Sequence, residues 1–346
     1  MKIGENFVRE NLTFTYLDPF HNFEKKETHL EVRKDPITET ISRVLPYRFR
    51  IYERPSVEDY LKKSPPEKCP FCLPQRDLLT PRFPVEINPE GQFRKGEAVC
   101  FPNAFPHSHY NTVVVLGNTH YLGLEEMKAG LLMDGLQVCL DYMRRMFQIN
   151  PNLQYASINW NYMPPAGGGL LHPHLQTVMG EGPTVFMGKL LSKSREYRMT
   201  TGRDLWVDYL AWEKEKKERY VGRGEGAEWL TAFAPRGMAG EVVCILPEKL
   251  SLTSLADADL ASLSKDLLRV FKYLNSINLV SFNLALFGTM VEEPLFPVQG
   301  RIIPRYLIRP LDTSDVNYFE KLHGEVICPF VPEDMAEGLK TFFHDL

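Results

Sequence analysis

Cysteine is sparse in this chain of 346 residues. The six cysteines, at positions 69, 72, 100, 139, 244 and 328, are too few and too scattered for the disulfide framework of a secreted domain. Long apolar runs are missing too: none approaches the roughly 20 residues of a membrane-spanning helix. The N-terminal MKIGENFVRENLTF lacks a signal-peptide core. Nor is there an excess of charge of one sign. Lys and Arg number 40 against 44 Asp and Glu, a net charge of -4, which leaves no electrostatic footprint for nucleic acid or anionic membrane. A reduced, cytoplasmic protein with neither nucleic-acid nor membrane partners is expected. Hydrophobic content of 44% and charged content of 24% are ordinary for a globular chain, and the length suits two domains or one duplicated domain.

The residues up to about Pro66 read as polar and irregular, with a basic LPYRFRIYERP stretch. After CPFCLP come two strand-like segments, EAVCFPNAF and YNTVVVLG. The helically spaced LEEMKAGLLMDGLQVCLDYMRRMFQ and the strand-like YASINW follow. The same order returns later as GEVVCIL, LADADLASLSKDLLRVFKYLNS, NLVSFNLALFG and RIIPRYLIRP, with Val113 matching Val242 and Asn159 matching Asn283. This repetition points to an internal duplication. A charged helical segment, RDLWVDYLAWEKEKKERY, ending at GRGEG, reads as the connector. The second copy has no histidine where the first has two, so chemistry is expected in the first.

That chemistry centres on GGGLLHPHLQT, Gly167 to Thr177. In a strand, His172, His174 and Gln176 share one face, and three glycines directly before them leave room for a phosphate. A surface strand with polar residues is the plain alternative. Upstream, Cys69-Pro-Phe-Cys72 has prolines on both sides, which disfavours a thioredoxin-like strand–helix setting and favours a two-thiolate knuckle for zinc. A closed structural site needs four ligands. His120 and His172 are candidates for the other two; His107 and His109 in FPHSHYN are the competing pair.

HPHLQ behind a glycine-rich turn, with CPFC about a hundred residues before it, resembles the galactose-1-phosphate uridylyltransferase family, the transferase branch of the histidine-triad superfamily. The resemblance covers most of the chain. It implies an α+β fold of duplicated histidine-triad-like units, each an antiparallel sheet with a helix packed on it. Residues 1–66 would be an N-terminal arm with an arginine segment, 67–200 the first repeat, 201–228 a connector and 229–346 the second repeat. By position, it implies His174 as nucleophile and Gln176 as its phosphoryl-binding neighbour. Cys69, Cys72, His120 and His172 would be ligands of a structural zinc. Phe101 and Asn103 would meet base and ribose, and Asn161 with Gly167, Gly168 and Gly169 the phosphates. Arg48 matches the first family arginine, and Arg54 or Arg50 the second. The implied partners are a nucleotide sugar and a phosphate or sugar 1-phosphate, and the implied assembly is a homodimer.

The residues support such chemistry independently. An imidazole can attack an α-phosphorus and split one displacement into two, while glutamine, unlike a third histidine, cannot protonate a leaving group. A nucleotidyltransferase is therefore expected, with a nucleotide-sugar or dinucleotide phosphorylase as the nearest alternative. A zinc-stabilised nucleotide-binding protein without turnover is a third reading. A zinc hydrolase ranks low because four protein ligands leave no place for water. The chain departs from the uridylyltransferase pattern at Gly169, where the family carries serine, and at Ala104, where it carries aspartate. Phe287, Pro304 and Tyr306 stand where some members bind a second metal, and the sugar-binding segment is barely recognisable in FEKLHGEVICPFVPEDM. These changes argue against galactose 1-phosphate as acceptor and leave the base open.

Overall fold

A computed structural model describes residues 3–46 and 53–343. The N-terminal arm is more regular than its polar composition suggests. Strands β1 (Val8–Asp18) and β2 (Glu24–Lys34) form an eleven-residue antiparallel ladder, with Asp18 capping the turn through Phe20 N–H, His21 and Lys26. The irregular reading of this arm is therefore corrected. Alternating residues such as Leu12, Phe14 and Tyr16 carry the strand period, but both faces of the ribbon are largely exposed, which hides the usual in–out signal. Strand β3 (Ile41–Val44) continues the sheet. Short helices α1 (Val57–Lys63) and α2 (Gln75–Leu79) flank the CPFC segment.

The first repeat then builds β4 (Phe93–Lys95), β5 (Ala98–Pro102), β6 (Tyr110–Val115), helix α3 (Ala129–Ile149), β7 (Tyr155–Tyr162) and β8 (His174–Gly180). Helix α3 begins five residues later than its apolar pattern does, because the Glu126 carboxylate folds back onto the Gly123 N–H (2.6 Å) and holds residues 123–126 in a turn. After α4 (Val185–Thr201) and α5 (Leu205–Lys216) come β9 (Tyr220–Arg223), β10 (Glu228–Thr231), β11 (Val242–Leu246), α6 (Asp257–Ser276), β12 (Phe282–Thr289) and β13 (Val298–Pro304). Strand β9 thus lies within the stretch read as connector. The chain closes with the small β14 (Leu307–Ile308) and β15 (Thr313–Ser314) pair, β16 (Val326–Cys328) and α7 (Pro332–Lys340). Strand β16 runs parallel to β3 and ties the C-terminal region to the arm.

Ten strands form one sheet in the order β4-β5-β6-β8-β7-β12-β13-β11-β10-β9. Each half is three antiparallel strands, a helix and two more strands, with the last strand inserted beside the third. The halves join where β7 pairs antiparallel with β12, Tyr162 opposite Phe282 through Tyr155 opposite Thr289. Helices α3 and α6 pack side by side on one face, over the large core that contains Leu136, Leu140, Met143, Phe271 and Phe282. The other face is covered unevenly. Helices α4 and α5 close the second half with Leu190, Trp206 and Leu210 against Leu230, Val243, Ile245 and Phe287. Over the first half, among the described residues, the CPFC segment packs down on Val99, Phe101, Val113 and Val115, with Leu170 beside it. Between these covers runs a polar strip.

Candidate active site and metal centre

The polar strip follows from strand periodicity. In β8, His174, Gln176 and Val178 are partly exposed while Leu175, Thr177 and Met179 are buried. The ladder sets Gln176 between Val113 on β6 and Asn159 on β7. His172 lies just before the strand and is fully buried, so it belongs to a different environment from His174.

Cys69, Cys72, His120 and His172 converge with all their ligand atoms within 4.8 Å of one another. Cys72 Sγ is 3.2 Å from His120 Nδ1 and 3.4 Å from His172 Nδ1, and Cys69 Sγ is 3.9 Å from His172 Nδ1. A zinc tetrahedron with Zn–S of about 2.3 Å and Zn–N of about 2.0 Å requires S···N edges near ~3.5 Å, so the group has the right size. The protons fit as well. His120 Nε2–H donates to the Ser64 carbonyl (2.7 Å) and His172 Nε2–H to the Gly117 carbonyl (2.9 Å), which turns both Nδ1 lone pairs inward. Burial lowers His172 to about 4, keeping it neutral, and the bond to Gly117 only partly offsets this. Burial and the neighbouring Cys69 push the Cys72 thiol up to about 12, so a cation is what would sustain two thiolates there. This buried Cys2His2 group can hold a metal ion. The competing His107 and His109 sit exposed in the 103–109 loop and are not part of it.

Phe71, inside the CPFC turn, links the metal group to the strip. Its ring lies edge-on to Phe101 (5.6 Å), His172 (6.3 Å) and His174 (5.2 Å). Sequence reading did not single out Phe71; its place between two cysteines was the available signal. Phe101 is 2% exposed beneath it. Asn103 organises the neighbouring loop: its amide donates to Asn111 Oδ1 (2.7 Å) and its oxygen accepts from Phe105 N–H (3.0 Å).

His174 Nδ1–H donates to the His172 carbonyl (2.8 Å), two residues back. The opposite nitrogen, Nε2, has no partner among the described residues, and neither does the Gln176 carboxamide. Burial holds the His174 pKa below that of an ordinary imidazole, opposed by the bond to His172, so the ring is neutral near pH 7. The glycine turn beside it is tightly folded. Met163 (φ 72°) and Gly167 (φ 82°) both lie at positive φ. A Cβ on Gly168 would fall 2.7 Å from the Asn161 carbonyl oxygen. The N–H groups of Gly167 and Gly168 are spent inside the turn, on Pro164 and Met163 carbonyls. The amide donor left for a ligand within the glycine run is therefore that of Gly169.

Asn161 is exposed and accepts from Asn283 Nδ2 (2.7 Å), which also donates to the Ala166 carbonyl (2.8 Å). Asn283 is in turn held by Arg305, and Arg305 by a two-point ion pair with Asp315. The second half thus braces the glycine turn, a relation that sequence reading missed because it arises only from the β7–β12 pairing. The arginine expectations fare differently. Arg54 bonds Asn275 at the end of α6, beside residues of the helical side of the sheet, and does not join His174. Arg48 and Arg50 lie outside the described residues.

No protein-family profile matches the chain. An uncharacterized protein of Archaeoglobus fulgidus is 28% identical over 321 residues, 93% of this chain and 94% of that one. Among solved structures, a GalT-like protein from Arabidopsis thaliana superposes with a TM-score of 0.66 at 19% identity, covering 89% of this chain and 98% of its own. The fold is that of the GalT-like proteins. An ADP-glucose phosphorylase from Arabidopsis thaliana with bound ADP-glucose gives TM-score 0.66 at 19% identity (90% and 98% covered). A uridylyltransferase gives 0.65 at 18% identity (91% and 98% covered). No helix among the described residues is long and apolar enough to cross a membrane.

Proposed function

We propose that the protein is a nucleotidyltransferase that moves a nucleoside monophosphate from a nucleotide sugar to a phosphate-bearing acceptor through His174. The observation that carries this reading is the His174 ring itself: Nδ1–H is held by the His172 carbonyl, and a neutral Nε2 without a partner among the described residues stands on the strip beside Gln176. Nε2 attacks the α-phosphorus, a P–N bond forms, and the P–O bond to the departing sugar phosphate breaks with its electron pair on that oxygen. In the second half-reaction an acceptor phosphate oxygen attacks the same phosphorus and the P–N bond electrons return to the imidazole. Gln176 and the Gly169 N–H would then stabilise charge on the phosphoryl oxygens.

Zinc fits the Cys69, Cys72, His120 and His172 group, where it would be structural. Bound there, it would anchor the chain two residues before His174 and hold Phe71 against the ring. Transfer to a sugar 1-phosphate is the first reading. Transfer to inorganic phosphate is the second, favoured by Gly169 and Ala104, which leave out the polar side chains of the uridylyltransferase pattern. Both share the first half-reaction. Exchange of labelled inorganic phosphate and of labelled sugar 1-phosphates against a panel of purine and pyrimidine nucleotide sugars separates them. Exchange that survives His174→Asn would refute the proposal.

A further inference from the structure

A second hollow opens on the same sheet face, beyond Asn159. It has a volume of about 410 Å³, and its floor is low because Ala285 is small at the point where β12 crosses the strip. Two guanidinium groups close its far side. Arg236 stacks on Phe186 (3.6 Å to the ring centroid) and Arg301 flanks the same ring at 5.5 Å. Both are held by one carboxylate, Glu241, which is 1% exposed: Arg236 Nε at 3.3 Å and Arg301 Nη1 at 3.1 Å. Two cations against one anion leave the wall with one net positive charge.

Most of the donors on that wall are unused. Arg301 Nε is buried without an acceptor, and so is the Ser108 hydroxyl on the opposite rim. The buried Gln299 carboxamide, in the next cross-strand row of β13, is likewise unsatisfied at both of its atoms. Buried polar groups are nearly always paired, and leaving one unpaired is costly. Two such orphans, Arg301 Nε and the Ser108 hydroxyl, line this one hollow and signal a polar occupant. The remaining lining is largely apolar, with Phe186, Phe287 and Met187, so the occupant carries an organic body beside its charge.

We propose that this hollow is an anion-binding site for a small organic phosphate or carboxylate, with the anionic group on Arg236 and Arg301. Gln176, Asn159, Ala285 and Arg301 are consecutive partners across four adjacent strands. Gln176 and Arg301 are therefore roughly 14 Å apart, three strand spacings of about 4.8 Å. A substrate whose phosphorus sits at His174 could place a distal charged group there. That role rests on the nucleotidyl reading; the binding itself does not.

Calorimetric titration with glucose 1-phosphate, inorganic phosphate and glucuronate tests the site. Glucose 1-phosphate is expected to bind one site per chain with Kd below about 1 mM. Arg301→Gln and Arg236→Gln should each weaken it at least tenfold, and His174→Asn should leave it unchanged. Should Arg301→Gln fail to fold, Ala285→Leu fills the hollow while keeping both guanidinium groups and should weaken binding to the same extent. Tight binding of glucuronate assigns a carboxylate ligand, and its absence beside binding of glucose 1-phosphate assigns a phosphate. Binding lost in His174→Asn but retained in Ala285→Leu and the arginine variants would overturn the proposal, as would no binding of any probe to the wild type. Nucleotidylation of His174, measured separately by mass, fails or succeeds independently of these results.

Discussion

On β8 the residues that point toward the open face are His174, Gln176 and Val178. On β13, which occupies the corresponding place in the second half, the same face carries Gln299, Arg301 and Ile303. Backbone order is the same in the two halves; what lies over them is not. Helices α4 and α5 bury Leu230, Val243 and Phe287 in the second half, while among the described residues the first half is covered at its margin by Phe71 and its flanking cysteines. A sheet can carry chemistry where a face stays uncovered and something else fixes the chain. In the first half a Cys2His2 group supplies that fixation. In the second, packed helices replace it and the polar contribution moves sideways, to Asn283 and Arg305 bracing the glycine turn.

Removing the ring should break this contrast most completely. His174→Asn is expected to lower transfer by on the order of 10⁴-fold or more while metal content and melting temperature stay at wild-type values. Retained turnover would mean that the open face is not where the reaction occurs. Next come the cysteines. Cys72→Ser should abolish metal binding and cost on the order of 4 kcal/mol of stability. Cys244→Ser, at an equally buried position in the second half, should cost only about 1–2 kcal/mol and leave the metal in place. Paired denaturant melts with metal analysis read both, and similar losses for the two variants would remove the distinction between a metal-pinned and a helix-packed half.

The seam between the arm and the second half should show a pH signature. Burial works against the charge on Glu333, but Arg33 and Arg219 outweigh it and hold the carboxyl at about 2, below its ordinary 4.5. A depressed folded-state pKa contributes stability that is complete above the unfolded value and is lost as pH falls toward the folded one. Glu333→Gln should therefore cost roughly 3 kcal/mol at pH 7, with the deficit closing between about pH 5 and pH 2. A deficit independent of pH would assign the loss to packing. Gln176→Ala is expected to give a roughly 10²-fold slower transfer with metal unchanged, as for one donor to a phosphoryl oxygen.

Much of the central sheet was legible because its strands and its two long helices carry clean periods of 2 and 3.6, and because the same order occurs twice. The Cys2His2 group was legible from ligand type, although His120 could be separated from His107 and His109 only by their positions in space. The arm was not legible, since a ribbon exposed on both faces shows no alternation of polarity. Arg236 and Arg301 were invisible as a pair: they come together through Glu241 and Phe186, from the loop before β11, from β13 and from α4. The Asn283–Arg305–Asp315 brace escaped for the same reason, being a product of pairing between the halves.

The central claim is that the open face of the first half holds a nucleophilic imidazole. Its most direct test is the intact mass of the wild-type protein after incubation with a nucleotide sugar that supports exchange, in the absence of acceptor. The expected result is a single added nucleoside monophosphate, mapped to His174, released by mild acid and stable in alkali as a phosphoramidate should be, and discharged when acceptor is supplied. Full exchange activity with no adduct at any acceptor concentration, or an adduct mapped to another residue, would contradict the account.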